Sequence, residues 1–202
     1  FDAELKRQRN VLGRLEKIEV NLHHYKDSHL LLMNKGLSTP FDCAQHINEN
    51  IILTSVVGLV NGEKLWHLHK PLEEACNLEM LKYFDEDPSA VNRVFWRSCS
   101  FILGSVLSKM FKDDVQVHLH SFPSPNVKSG SFVYDIVLDY DNWTPKVDEL
   151  KLLSLAMIKT AVKGYDIECL DVKKDLALEM FRSNCYKVQQ IPKMVDSEDR
   201  VT

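Results

Sequence analysis

The sequence predicts an α+β chain built from two units in series, and three observations carry that expectation. Between residues 16 and 86, short alternating apolar runs, one Thr-Pro helix start and one Asn-Gly turn follow in the order strand, strand, helix, hairpin, strand. Beyond Asp87-Pro88 the apolar period becomes that of a long helix, and three more strands and further helical runs follow it. The 202 residues are 45% hydrophobic and 27% charged, which is ordinary globular usage and enough to bury a core.

The opening run FDAELKRQRNVLGRLEKIEV has helical spacing, and its first 15 residues are expected to form a basic helix. Lys6, Arg7, Arg9 and Arg14 lie there with no acid between Leu5 and Arg14. A short charge run of this kind reads first as a solvated helical face and second as a contact for nucleic acid or a protein partner. KIEVNL and HLLLMN then read as strands, separated from the next element by the turn Asn34-Lys35-Gly36. Thr39 before Pro40 is a helix start, with Phe41, Ala44, Ile47 and Ile51 as the apolar stripe of a short helix. VVGLVNGEKLWHLHKPL reads as two strands around Asn61-Gly62, and CNLEMLKYF as the strand that closes a small unit of the ubiquitin-like kind.

Asp87 and Pro88 cap and open a helix expected to run to about Phe111 through Val91, Phe95, Ile102, Val106 and Met110. The strands VQVHLHSF and SFVYDIVLDY follow, joined by the loop SPNVKSG. A helix from Thr144-Pro145 to Gly164 comes next, then a helix in DVKKDLALEMFRSN and a last strand in CYKVQQI.

A net charge of −4 and a sequence pI near 6.1 argue against a surface that is wholly a nucleic-acid glove. The five cysteines form no CxxC pair, so neither a disulfide framework nor a zinc ribbon is indicated. His67 with His69, and His118 with His120, each share one face of an expected strand. Without an acid or cysteine at ligand spacing, a half-solvated strand face is the better reading than zinc. Trp66, Trp96 and Trp143 sit among apolar neighbours and read as buried side chains rather than base-stacking platforms. The loop bearing Lys128 is no glycine-rich phosphate cradle. No apolar run approaches the roughly 20 residues that cross a bilayer. The chain opens on Phe1 and not on methionine, so a preceding segment is expected.

Two stretches are more specific. Residues 39 to 88 carry a TP-start helix, a VNG hairpin, Trp66-His67-Leu68-His69-Lys70-Pro71-Leu72 and Leu78-Glu79-Met80-Leu81. In that order they resemble the β-grasp TGS module of threonyl-tRNA synthetases. FWRSCSFILG (95–104), SGSFVYDIVL (129–138) and ECLDVKKDLALEMFRSNCYKVQQI (168–191) resemble successive pieces of the same family's editing domain. The resemblance implies a basic helix over 1–15, a TGS-like β-grasp domain over 16–86 and an editing-like α+β domain over 87–202, the last expected to be cut short at its C-terminal end.

In that family the editing site hydrolyses mischarged seryl-tRNA with a His-x-x-x-His pair on one helix face, a lysine, and an Asp-x-Cys-x-x-x-His stretch that would fall beyond Thr202. Here the two histidine positions are Arg97 and Phe101. Phenylalanine has no titratable group and arginine stays protonated, so neither can be a general base. Lys187 falls at the editing lysine and, without those partners, is expected at the surface.

The runs Trp96-Arg97-Ser98-Cys99, Glu16 to Val20, Met33-Asn34-Lys35 and Ser38-Thr39-Pro40 further resemble the synthetase-like group found among mitochondrial large-subunit ribosomal proteins. The join between the basic helix and Glu16 is shorter than that group usually has. This resemblance implies no enzyme activity, no cofactor, no metal and no small-molecule substrate. The implied partners are mitochondrial large-subunit ribosomal proteins and a local stretch of large-subunit rRNA, touched near Lys6, Arg7, Arg9 and Arg14. The implied place is the matrix, in the ribosome, with no membrane span. A trans-editing hydrolase of mischarged threonine tRNA and a regulatory TGS binding module are the alternatives. Phe101 is expected to pack into the former pocket, and Arg97 to pair with an acid, a carbonyl or a phosphate.

Overall fold

The computed structural model describes residues 1–11, 13–24, 27–140 and 143–202. In chain order the elements are α1 (Asp2–Val11), β1 (Lys17–His24), β2 (Asp27–Asn34), α2 (Pro40–Gln45), α3 (Glu49–Thr54), β3 (Ser55–Val60), β4 (Lys64–Trp66) and β5 (Cys76–Lys82). They continue as α4 (Ser89–Met110), β6 (Val117–Ser121), β7 (Asp135–Leu138), α5 (Val147–Val162), β8 (Val172–Lys173), α6 (Lys174–Met180), α7 (Cys185–Gln190), a 3₁₀ turn (Ile191–Lys193) and β9 (Arg200–Val201). The chain divides into two compact units, Phe1–Val94 with Glu168–Leu170 and Phe95–Ile167 with Asp171–Thr202.

In the first unit five strands form a mixed sheet in the order β2-β1-β5-β3-β4. β1 pairs antiparallel with β2 and parallel with β5, and Leu22 stands opposite Leu78 in that parallel register. The alternation of β1 turns Ile18, Val20 and Leu22 inward, where they meet Leu78 and Met80 of β5, and Cys43, Ala44 and Ile51 of the helices. The β3–β4 hairpin turns on Asn61 and Gly62, both with positive φ (52° and 73°), the backbone that a tight right-twisted hairpin requires. Thr39 caps α2 in a full capping box: its hydroxyl accepts from the Asp42 N–H, and the Asp42 carboxylate accepts from the Thr39 N–H at 2.8 Å. Burial among apolar neighbours pushes the Cys43 thiol up to about 12, so it behaves as a small core residue.

The expected single helix after Thr39 is two short ones, because Asn48 takes extended backbone and its side chain caps α3 through the Asn50 N–H at 2.8 Å. β4 stops at Trp66, so His67 and His69 lie in the following turn, with the His69 N–H donating to His67 Nδ1, and do not share a strand face. Trp66 is buried; its Nε1–H donates to the Lys70 carbonyl at 3.0 Å, and the Lys64 and Lys70 ammoniums lie 4.7 and 4.9 Å from its ring.

In the second unit β6 and β7 form an antiparallel ribbon, and β8 pairs with β9. β6, β7, α5 and α6 are each shorter than their sequence runs, and β8 and β9 lie where no strand is expected. α5 starts at Val147, beyond Thr144-Pro145, where the Glu149 carboxylate accepts from the Lys146 N–H at 2.7 Å. It ends at Val162, and Gly164, just past the cap residue Lys163, has φ +63°. CYKVQQI is a helix, α7, and not the expected strand. Asn184 accepts from the N–H groups of both Tyr186 and Lys187 at 3.1 Å, a cap that decides for helix over a weakly alternating run.

Candidate functional site

The helix α4 brings Arg97, Ser100, Phe101 and Gly104 onto neighbouring turns, as their spacing demands. At Arg97 and Gly104 that face meets two rings that flank the β6–β7 ribbon, Phe122 and Tyr134. Tyr134 approaches α4 so closely at Gly104 that a Cβ there would lie 2.3 Å from the tyrosine Cε2. The Phe122 ring stacks on Tyr134, with centroids 5.4 Å apart and planes at 25°. Over Phe122 lies the Arg97 guanidinium, 5.0 Å from the ring centroid. Next to Arg97 in the chain, Trp96 stacks on Phe132 at 5.8 Å, and Gly130, held at φ +65°, comes so close that a Cβ would sit 3.0 Å from the indole.

One expectation falls here. Phe101 does not fill the former pocket: it is 52% exposed, and Phe122 with Tyr134 takes the covered face instead. Arg97 meets an aromatic ring, and among the described residues no acid pairs with it. The ring face offers a planar cation a stacking partner that needs no hydrogen-bond acceptor. The missed residues are Phe122 and Tyr134. The signal for them was the retained Gly104, since a helix glycine without a capping role marks a close approach.

Lys187 is half-buried and not at the surface. Its Nζ donates to the His120 carbonyl at 3.1 Å, an oxygen that Gln190 also reaches at 3.2 Å, while Asn184 donates to the Leu119 carbonyl at 2.9 Å. α7 is thereby fastened to β6 by three side chains. His120 and His118 lie on the same side of β6 and meet the Tyr186 ring at centroid distances of 4.7 and 6.4 Å. His120 Nδ1 is 2.7 Å from Ser121 Oγ, which donates to Asp135 at 2.9 Å. Among the described residues no group of three or more His, Cys, Asp or Glu is placed to hold a metal.

Burial pushes the Lys187 ammonium down from its ordinary value. The folded state therefore releases this proton at a lower pH than the unfolded chain, so stability rises with pH through the interval between the two values. The stability of the native chain relative to Lys187→Met is expected to be lowest at neutral pH and to rise as pH climbs toward the ordinary lysine value. Paired denaturant titrations at several alkaline pH values measure it, and a difference that stays flat or falls over that range contradicts the burial.

Of the four basic residues, Lys6, Arg7 and Arg9 stand on α1, which has no buried residue, and Arg14 follows it. They are not equivalent. Arg7 is bound by both carboxylate oxygens of Glu4, at 2.7 and 2.6 Å, and this pair with Gln8 holds the Glu4 carboxyl down at about 2. Lys6 and Arg9, three apart on the exposed helix, remain as the cations that face solvent together. Arg14 lines a shallow depression of about 260 Å³ with Leu15, Glu16, Lys35, Gly36 and Glu73, where Lys35 pairs with Glu16 at 3.4 Å.

A β-grasp sheet followed by an α+β unit whose long helix carries Arg97 and Phe101 on one face makes this a TGS-containing chain with similarity to the threonine-tRNA ligases. Residues 27–82 match the TGS domain. Among curated relatives the chain is 46% identical over 192 residues to the large ribosomal subunit protein mL39 of Drosophila melanogaster, a match covering 95% of this chain and 58% of that protein. It is 30% identical over 168 residues to the probable threonine-tRNA ligase 1, cytoplasmic, of Dictyostelium discoideum, covering 83% of this chain and 22% of the ligase. With the human threonine-tRNA ligase 2, cytoplasmic, it shares 30% over 161 residues, 79% of this chain and 18% of the ligase. The chain thus carries a TGS domain and is a relative of mL39 and, at greater distance, of the threonine-tRNA ligases.

Proposed function

We propose that the chain is part of a structural constituent of the mitochondrial ribosome's large subunit, a synthetase-like scaffold without catalysis that contacts neighbouring ribosomal proteins and a local stretch of rRNA. The observation that carries this reading is the 46% identity, over 95% of the chain, to a protein named large ribosomal subunit protein mL39. The chemistry of α4 supports it, since a cation on a phenylalanine ring and an exposed phenylalanine supply no group that could act as a general base. The Tyr134–Phe122 stack lies against the helix where a substrate would need access to that face.

In this reading residues 1–15 are a basic contact segment, 16–86 the TGS-like domain and 87–202 the editing-like domain. The matrix is the place of assembly. Lys6 and Arg9 are the cations available to phosphate, with Arg14 further along the chain, whereas Arg7 stays with Glu4. A few such contacts make rRNA binding local and salt-sensitive, and leave most of the attachment to protein neighbours.

The full-length protein is expected to co-sediment with the large subunit at moderate salt. Purified, it is expected to leave seryl-tRNA of the threonine isoacceptor intact, even with Arg97→His and Phe101→His together. A protein that stays in the top fractions of the gradient sinks this reading. Turnover of the mischarged tRNA that Lys187→Ala abolishes replaces it with a hydrolase.

A further inference from the structure

We infer that the outward face of α5 is a docking surface for an amphipathic α-helix of a neighbouring protein, one that presents a carboxylate to the middle of its apolar seam. No residue of α5 is buried. Leu152, Leu155, Ile158 and Val162, spaced three, three and four apart, form a single stripe and are 59%, 55%, 59% and 81% exposed. The opposite side of the helix, through Leu153, Ala156, Met157 and Thr160, is the half-buried one. Four large aliphatic side chains aligned on one helix make a contiguous apolar patch, the kind that marks an interaction site rather than scattered surface hydrophobes.

The charges along the stripe say what covers it. Lys151 is paired with Asp148 at 3.1 Å, and the Lys163 ammonium lies over the Tyr165 ring at 5.6 Å. Lys159 has no carboxylate partner among the described residues, and it stands on the seam itself, four residues after Leu155 and three before Val162. A covering helix that packed Leu152, Leu155 and Val162 would enclose that ammonium, and an enclosed ammonium needs an opposing carboxylate. Leucine and valine give an RNA backbone nothing to bond, so the aliphatic stripe favours a protein helix over nucleic acid. That the partner is a large-subunit protein rests on the functional reading above; the surface and its chemistry do not.

The test uses the full-length chain in cells, with a photo-crosslinking amino acid at position 158, and beside it the Leu155→Glu/Ile158→Glu variant. The expected crosslink joins position 158 to one helical peptide of a large-subunit protein with Asp or Glu within a turn of the joined residue. The double variant is expected to keep its circular dichroism and melting profile while its co-sedimentation drops at least tenfold. A crosslink to rRNA, to a second copy or to another part of the same chain overturns the inference, as does none, and in each case native co-sedimentation leaves the functional reading standing. A native chain that fails to co-sediment, yet crosslinks to an acidic amphipathic helix elsewhere, overturns the functional reading and upholds the surface.

Discussion

Gly104→Val is expected to destabilise the second unit by about 2–3 kcal/mol, the usual scale for forcing extra carbons into an occupied contact. The Cβ alone would sit 2.3 Å from Tyr134 Cε2 and 2.7 Å from Cδ2 and Cζ, distances at which something must move. Tyr134 cannot retreat freely, because its other face carries Phe122 and Phe122 carries Arg97. The small helix-propensity gain of valine over glycine offsets only a few tenths of a kcal/mol. Hydrogen exchange of the β6–β7 amides, read with denaturant midpoints, measures the loss. In a Tyr134→Ala background the valine is expected to cost less than about 1 kcal/mol, since residues in contact do not act additively. Equal costs in the two backgrounds would show that the glycine serves something other than the ring.

Such a contact is the part of the second unit that the chain's own pattern hides. The β-grasp was legible because its signals are local: Thr39, Pro40 and Asp42 make their capping box within four residues, and Asn61-Gly62 sets a hairpin by backbone sterics alone. The strands β1 and β5 alternate because one sheet face is buried, and the alternation survives in any sequence that keeps the core. The candidate site needed pairs far apart in sequence. Gly104 with Tyr134, Arg97 with Phe122, and Lys187 with the His120 carbonyl join residues 25 or more positions apart, and nothing in the spacing of either partner names the other. Phe101 was misplaced for the same reason, since a phenylalanine on a packed helix reads as buried until the ring that takes its place is known. α7 shows the converse: CYKVQQI alternates just enough to pass for a strand, and one asparagine ahead of it reverses that through two hydrogen bonds.

Leu78→Ala is expected to cost the first unit about 3–4 kcal/mol, within the range found for leucines removed from closed cores. Leu78 and its register partner Leu22 are both fully buried, at the centre of the parallel β1–β5 pairing that joins the two halves of the sheet. The neighbours are poorly placed to close the gap. Val20, Met80 and Ile51 belong to the same packed cluster, and Gly58, whose absent side chain already admits Leu78 Cδ1 to 3.1 Å of its would-be Cβ, offers no atoms to fill it. Leu22→Ala is expected to cost a similar amount. The double variant is expected to cost less than both together, because the two cavities merge into one that is partly paid for by the first loss. Leu30→Ala, on the edge strand β2 and 69% exposed, is expected to stay within about 0.5 kcal/mol and serves as the control. Hydrogen exchange separates the units: amides of β1 and β5 should lose protection in Leu78→Ala while those of α4 beyond Phe95 keep theirs. Loss of protection in both units together would show that they unfold as one, and the destabilisation would then belong to the whole chain rather than to the β-grasp core.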